Sequence, residues 1–192
     1  MSLSRLSSGA GYRYLTRTTA CGDCAHASGD GLSVYYAESG NPPGRWLGSG
    51  LAGLAELGDS GAGGVATSEV VTEEQMALLF GRGCDPVTGA PLGRGHRVFA
   101  AGAGRKAVAG FDLTFSARKS ISVLWALGDD TIREAVLKAH HAALSSVIAY
   151  AESTAVFTRT GRDGVAQVPV RGVIAAAFDH WDSRTGDPQL HT

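Results

Sequence analysis

Glycine is the residue that most limits how this chain can fold, because it accounts for 27 of the 192 residues. That is about twice its usual share of about 7%, and the glycines are densest in residues 48–66 and 81–110. Glycine weakens the interiors of helices and strands and favours tight turns. We therefore expect these two stretches to be irregular connections, with the regular elements between and after them.

The overall composition fits a globular protein of one domain. Hydrophobic residues make up 44% of the chain and charged residues 18%, which provides enough apolar surface for a buried core. No apolar run reaches the ~20 residues of a membrane span, and three cysteines cannot complete a disulfide framework. These features predict a cytoplasmic protein. The net charge of -1 excludes a uniformly basic nucleic-acid binder, but 14 of the 17 cationic residues are arginines, which suit phosphate.

The apolar pattern predicts an α+β protein. A helix is predicted over Ser68–Phe80, where Thr72 is a suitable N-cap. Apolar and polar residues alternate over Phe111–Phe115, which predicts a strand with Asp112 opposite the aromatic rings. Hairpins, with helices grouped between the strands, predict an antiparallel sheet covered by helices. Further elements are expected as helices over Ala117–Leu127, capped by Ser116, and over Asp129–Glu152, a hairpin of Ala155–Thr160 with Val165–Val170, and a strand over Gly172–Phe178.

Two histidines late in the sequence form a candidate metal site. His180 follows an apolar strand, and a turn-like segment leads to Asp187-Pro188, where a second predicted strand begins and carries His191. If the two strands pair, both imidazoles can face one site, and neutral imidazoles bind divalent metals well. The alternative is that each histidine lies singly at a strand end near the surface. The His140-His141 pair is expected on the long helix as a packing pair and not as a ligand.

Four tyrosines occur within the first 36 residues. A phenol becomes a nucleophile where a carboxylate base or a metal-polarised phosphate lies close to it. Tyrosines also pack commonly in cores and loops, which is the alternative interpretation. The four are Tyr12, Tyr14, Tyr35 and Tyr36.

Two long motifs closely resemble those of the MobF-type conjugative relaxases, which nick and carry plasmid DNA. These motifs are Gly110–Leu124 and Asp187–Thr192, with support from Tyr35–Glu38, from Arg45-Trp46 and from Gly93–Arg97 in the family's order. The resemblance implies a palm-like antiparallel sheet with a histidine-bound metal. It also implies that a tyrosine attacks one phosphodiester of single-stranded DNA, leaving a 5′-phosphotyrosine link and a free 3′-hydroxyl.

The resemblance assigns roles to the histidines and to one carboxylate. His180 and His191 resemble the first two of three metal-binding histidines, and the family's third would follow Thr192 directly. Asp112 resembles the acidic residue that orients a ligand histidine and can accept the tyrosine proton. Residues 1–192 are therefore expected to be part of a single relaxase catalytic domain, without its C-terminal part. A working site is expected to use Mg²⁺ or Mn²⁺, although imidazoles also bind Zn²⁺ or Ni²⁺ tightly.

The resemblance also assigns the tyrosines. Tyr12 matches the nucleophile best, and Tyr14 is its near neighbour. Tyr35 and Tyr36 resemble a second pair, which some members use for a second strand transfer.

Contacts with DNA are expected from cationic side chains of the second glycine-rich stretch and of the helix that follows Asp112. At the start of that helix, backbone N–H groups also favour phosphate. Trp46 and Trp181 are candidates for stacking on bases. The alternative is a solvated cationic face with the tryptophans in the core. The cationic candidates are Arg94, His96, Arg97, Arg105, Lys106, Arg118 and Lys119.

The sequence thus predicts a metal-dependent relaxase that nicks single-stranded DNA at a plasmid transfer origin. Relaxosome accessory proteins are expected partners, and a membrane is not. Two alternatives stay open: a rolling-circle replication initiator of the same class, and an inactive truncated fragment that only binds single-stranded DNA.

Overall fold

Eight strands and four α-helices lie in the part of the chain that the computed structural model describes, residues 1–13, 40–57, 65–66, 69–93 and 107–192. The strands are β1 (Ser2–Ser7), β2 (Arg45–Leu47), β3 (Val108–Thr114), β4 (Phe157–Thr160), β5 (Ala166–Pro169), β6 (Ala175–Ala177), β7 (His180–Asp182) and β8 (Pro188–His191). The helices are α1 (Leu51–Leu57), α2 (Glu73–Met76), α3 (Lys119–Leu127) and α4 (Asp130–Thr154). A π-helical turn, Ala77–Arg82, continues α2, and a 3-10 turn, Arg162–Gly164, joins β4 to β5. The predicted α+β class is confirmed.

The strands pair in antiparallel fashion as β1–β3, β2–β6, β4–β5 and β7–β8. Beyond the end of β3, the chain goes on to pair with β8. Phe115 and Thr192 exchange two backbone hydrogen bonds, at 2.8 and 3.0 Å, and Ser116 lies opposite His191. The strands β1, β3, β8 and β7 therefore follow one another in space, which brings the segment of Asp112 next to the segment of His191.

The helix boundaries differ from the sequence prediction in two places. The predicted Ser116 cap is wrong: α3 begins at Lys119, and Ser116 lies opposite His191 in the strand pairing. A strand partner 75 residues away thus takes the residue that local sequence assigned to a helix. The predicted helix capped by Thr72 is observed, and Gln75 completes a capping box with that residue. It runs past the predicted end at Phe80 to Arg82 and is capped by Gly83, whose φ of 73° is the left-handed conformation typical of a helix C-terminus.

The first glycine-rich stretch is not irregular throughout. It contains α1, in which Leu51 and Leu54 are spaced three residues apart and are buried in the core. This spacing places both side chains on one helix face. The expectation of an irregular connection over residues 48–66 was therefore wrong for Leu51–Leu57.

In the main core, buried residues from the N-terminal half of the chain pack together with Phe178, which directly follows β6. Trp46 is fully buried, and its indole N–H donates a 3.2 Å hydrogen bond to Gln75. The expectation that Trp46 stacks on DNA bases is therefore wrong, because its ring is enclosed by protein. The buried core residues are Tyr12, Trp46, Leu51, Leu54, Val65, Val71, Met76 and Phe178.

The long helix α4 is fixed at both ends. At its start, the Asp129 side chain accepts a hydrogen bond from the backbone N–H of Ile132 at 2.9 Å. Near its end, a Glu152 carboxylate oxygen accepts backbone N–H bonds from Ser49 and Val173 at 2.8 and 2.9 Å. Burial would raise the pKa of Glu152, but these hydrogen bonds hold it below its ordinary value. Of the helices in the described ranges, none has the length and apolar character to cross a bilayer.

We predict that Ser122→Ala destabilises the fold where α3 holds β8. The Ser122 hydroxyl is buried and accepts the backbone N–H of Leu190 at 3.0 Å. Removing it leaves a buried donor without its partner, so the free energy of unfolding should fall by about 1–3 kcal/mol. Urea denaturation measures the change. The matched control is Ser120→Ala, at an exposed position of the same helix, which should change stability by less than about 0.5 kcal/mol. Equal effects of the two variants would contradict the proposed anchor.

Candidate functional site

His180 and His191 lie opposite each other in the β7–β8 pair. Their ring centroids are 5.1 Å apart, with an angle of 37° between the ring planes. Directly opposite residues of an antiparallel pair project from the same face of a sheet. The two imidazoles thus share one face, which is the arrangement that the sequence predicted if the strands paired.

Both imidazoles have features that suit a metal ligand. The Nδ1 atom of His191 lies 2.7 Å from the carbonyl oxygen of Gln189. A carbonyl only accepts, so Nδ1 carries the hydrogen in this bond and a neutral ring keeps the Nε2 lone pair for a ligand. Burial, and then the nearby His191, lower the pKa of His180 to about 4 from its ordinary value of 6.5. His180 is therefore neutral at neutral pH, which is the form that binds metals.

The opposite face of the same strands carries a buried polar network. Asp179 is 2% exposed, and its two carboxylate oxygens accept from three side chains. Arg45 Nη1 and His141 Nε2 lie 2.6 and 2.8 Å from Oδ2, and Thr192 donates its hydroxyl to Oδ1 at 2.5 Å. His140 Nε2 lies 2.9 Å from the same hydroxyl. This network ties β2 and α4 to the chain on either side of the histidine pair.

The charge of Asp179 is compensated within the network. Burial would raise the pKa of its carboxyl, but the Thr192 hydrogen bond and the Arg45 guanidinium outweigh burial and hold that pKa below its ordinary value. Burial lowers the pKa of His140, although Asp179 opposes this effect. At neutral pH the network therefore contains a carboxylate, and His140 is uncharged.

Asp112 lies on the same sheet face as the histidine pair. Side chains alternate along a strand, so Asp112, Thr114 and Ser116 project to one side, and Ser116 is opposite His191. The Cα atoms of Asp112 and Ser116 are roughly 13 Å apart at the usual rise per residue. Asp112 thus lies on the face of the two imidazoles but farther along the sheet, where the Ser4 hydroxyl is 3.5 Å from its carboxylate.

Of the four candidate tyrosines, the structure describes Tyr12. It is 3% exposed and packs in the main core, with its ring near Gly81. A nucleophile must reach a DNA phosphorus, so this packing favours the alternative reading of Tyr12 as a core residue. The other three, Tyr14, Tyr35 and Tyr36, lie outside the described residues.

The cationic candidates divide in the same way. Arg118 is exposed at the N-terminus of α3. Lys119 forms an ion pair with Asp187 and donates to the carbonyl oxygen of Pro188 at 2.8 Å. Phosphate would compete with Asp187 for this lysine, since both are anions. The others, Arg94, His96, Arg97, Arg105 and Lys106, lie outside the described residues.

Trp181, a candidate for base stacking, is already stacked on Trp125. Their ring centroids are 4.8 Å apart, and the indole N–H of Trp181 donates to the carbonyl oxygen of Gly40 at 2.9 Å. One face of the Trp181 ring is thus covered by protein.

Sequence reasoning missed Asp179 and Thr192, and it treated the His140-His141 pair only as packing. Within the described ranges, no group of three or more His, Cys, Asp or Glu side chains is placed to hold a metal ion. A signal for Asp179 was present, since a carboxylate that interrupts an apolar strand is unexpected unless it is paired. The sequence did not indicate that its partners are Arg45 and His141, because these residues are 134 and 38 positions away.

The sequence profile of the TrwC relaxase family matches residues 8–192. The multifunctional conjugation protein TraI of Escherichia coli is 40% identical over 84 residues, which are 43% of this chain and 5% of TraI. TraI of Escherichia coli strain K12 is 39% identical over 84 residues, with the same coverage.

Solved structures of relaxases have a similar fold. The conjugative relaxase TrwC in complex with oriT DNA, in a copper-bound form, has a TM-score of 0.61 and 28% identity, covering 99% of this chain and 54% of that chain. TrwC complexed with a 27-mer DNA that comprises the recognition hairpin and the cleavage site has a TM-score of 0.58 and 25% identity, with coverage of 99% and 52%. The chain spans about half the length of these solved relatives and a far smaller part of TraI.

The lowered pKa of His180 predicts that the metal-free protein loses stability in acid. Between pH 6.5 and about 4, the unfolded chain binds a proton at this residue that the folded protein does not bind. The unfolded state is therefore favoured as the pH falls, by up to about 1.4 kcal/mol per pH unit for one proton. Urea denaturation with a chelator across this range measures the slope. The slope should be smaller in His180→Gln, which has no imidazole, and equal slopes in both proteins would contradict the prediction.

Proposed function

Because the chain belongs to the TrwC relaxase family, we propose that it acts in a conjugative relaxase that nicks one strand of DNA at a plasmid transfer origin. The observation that carries the proposal is the pair of facing imidazoles, His180 and His191, on the sheet face that also carries Asp112. Similar relaxases have been solved in complex with oriT DNA. This supports single-stranded transfer-origin DNA as the substrate.

The proposed metal site uses His180 and His191 as two of its ligands. The fit rests on their donor atoms, because His180 is neutral at neutral pH and the hydrogen bond of His191 to Gln189 leaves its Nε2 for a ligand. A divalent ion bound there would draw charge from the scissile phosphate and align it for attack. Mg²⁺ or Mn²⁺ is the proposed ion in a working site, with Zn²⁺ or Ni²⁺ as alternatives. A copper-bound relative supports a divalent metal without identifying the ion used here.

The proposed reaction is a transesterification. A tyrosine phenol loses its proton to Asp112, and its oxygen forms a bond to the phosphorus. The bond between phosphorus and the 3′-oxygen breaks, and that oxygen takes up a proton from water to become the free 3′-hydroxyl. The phosphotyrosine ester keeps the energy of the broken bond, so the 3′-hydroxyl can attack it and restore the strand.

The burial of Tyr12 bears on the choice of nucleophile. Its ring is enclosed by core side chains, so attack by this residue would require the core to open. Tyr14 is two residues further along the same segment and is the nucleophile that we propose. Tyr35 and Tyr36 are proposed for a second strand transfer, in line with the resemblance of this pair.

The proposed DNA contacts begin at Arg118, which is exposed where β3 leads into α3. Arg118 follows Ser116 by two residues, and Ser116 lies opposite His191. A phosphate bound by Arg118 would therefore lie near the candidate metal site. Lys119 and the cationic residues of the second glycine-rich stretch are proposed to extend this contact. We propose that the protein acts in the cytoplasm and that relaxosome accessory proteins are its partners there.

We predict that Tyr14→Phe abolishes the covalent adduct with a transfer-origin oligonucleotide, because phenylalanine lacks the attacking oxygen. The assay incubates the full-length protein with the oligonucleotide and Mn²⁺ and separates the adduct on a denaturing gel. Tyr12→Phe is the matched control and should still form the adduct. The opposite result would return the nucleophile to Tyr12, and DNA binding without adduct in every protein would favour a binding module.

A second prediction concerns the histidine pair. Loss of one ligand should weaken metal binding strongly, so His180→Ala and His191→Ala should each lower the cleavage rate by at least about 100-fold at limiting Mn²⁺. Thr158→Ala, at an exposed position of β4, is the control. High Mn²⁺ should restore part of the rate in the ligand variants. If both variants cleave as fast as the unsubstituted protein while a chelator removes all metal from every sample, the metal-assisted mechanism is wrong.

A further inference from the structure

The strands that carry the histidine pair also carry a second pair on their other face. His180 lies opposite His191, so the preceding Asp179 and the following Thr192 are the next opposite pair along the two strands. Their side chains point away from the imidazoles because successive residues of a strand alternate between faces. The Thr192 hydroxyl donates to Asp179 at 2.5 Å, which links the two strands one residue away from each imidazole.

This link is held in place from outside the two strands. Arg45 on β2 and His141 on α4 both contact Oδ2 of Asp179, while His140 on α4 contacts the Thr192 hydroxyl. Each hydrogen bond of this network can be given one donor and one acceptor. The carboxylate only accepts, so His141 donates from Nε2, and the hydroxyl gives its hydrogen to Asp179 and accepts from His140.

The strength of these contacts comes from charge and burial. Asp179 is 2% exposed, and its side chain forms an ion pair with Arg45 at 2.6 Å. Hydrogen bonds to an ionised group are shorter and stronger than neutral ones and restrict geometry more tightly. The Asp179 carboxylate therefore holds Thr192, which directly follows β8, in a fixed position relative to β2 and α4.

We propose that Asp179 and Thr192 are positioning residues that set the separation and orientation of the His180 and His191 imidazoles from behind the sheet. This inference rests on the proposed metal function of the two histidines. Neither residue touches the metal face. They act through the backbone, because each is directly bonded to one of the two candidate ligand residues. Backbone pairing of Thr192 with Phe115 fixes the strand edge, whereas the Asp179 bond fixes β8 relative to β7.

Thr192→Val tests this inference, because valine has nearly the shape of threonine but lacks the hydroxyl. The probe is Co²⁺, titrated into the metal-free full-length protein, with affinity from calorimetry and ligand geometry from visible absorption. We expect Co²⁺ binding at least about 10-fold weaker and an altered absorption spectrum, since partners behind a metal ligand commonly contribute 10–100-fold to affinity. Thr192→Ser keeps the hydroxyl and should restore both the affinity and the spectrum.

The controls separate positioning from stability. Thr158→Val, on the exposed strand β4, should leave affinity and spectrum unchanged. His141→Ala removes one donor to Asp179 at a side chain that is 34% exposed, so the fold should tolerate it, and it should weaken Co²⁺ binding in the same direction. This second variant carries the test if Thr192→Val does not fold.

Two results would count against different claims. If Thr192→Val and His141→Ala lower the melting temperature but keep the affinity and spectrum of the unsubstituted protein, the network is structural only and the positioning proposal is wrong. If His180→Ala and His191→Ala bind Co²⁺ as tightly as the unsubstituted protein, the proposed metal site itself is wrong.

Discussion

The backbone pairing of Phe115 with Thr192 is the contact on which the candidate site depends. Its two hydrogen bonds, at 2.8 and 3.0 Å, join the chain beyond β3 to β8. Through β8, the same pairing reaches β7 and places His191 opposite both Ser116 and His180. Without this contact, the two motifs that resemble those of relaxases would lie in separate two-stranded sheets. Pairing places them on one continuous sheet face.

The two faces of this sheet carry different sets of polar side chains. One face presents His180 and His191 for the proposed metal, and the other turns Asp179 and Thr192 toward the half-buried histidines of α4. A buried carboxylate is costly unless it is paired and fully hydrogen-bonded. Arg45 supplies the pairing charge, so the ionised Asp179 holds together β2, α4 and both strands of the site. The polar network behind the sheet and the imidazoles in front of it are therefore parts of one arrangement.

Local patterns predicted much of the fold because they depend on near neighbours in sequence. The alternation around Asp112 predicted β3, and the helix expected over Asp129–Glu152 is observed as α4, with Asp129 as its N-cap. The predictions failed where distant residues decided the outcome. Ser116 pairs with His191 in place of capping a helix, and Leu51–Leu57 forms a helix because the core covers its apolar face.

The sequence by itself determined the residue types of the site, its likeness to relaxases and the alternation that puts Asp112 on a polar strand face. Only the tertiary structure decided that His180 and His191 meet, that Tyr12 is enclosed in the core and that Asp179 is the centre of a buried network. The physical reason is that periodicity is a property of a few consecutive residues. Burial and cross-strand pairing depend instead on segments tens of residues apart, and their packing is what fixes the distances between functional groups.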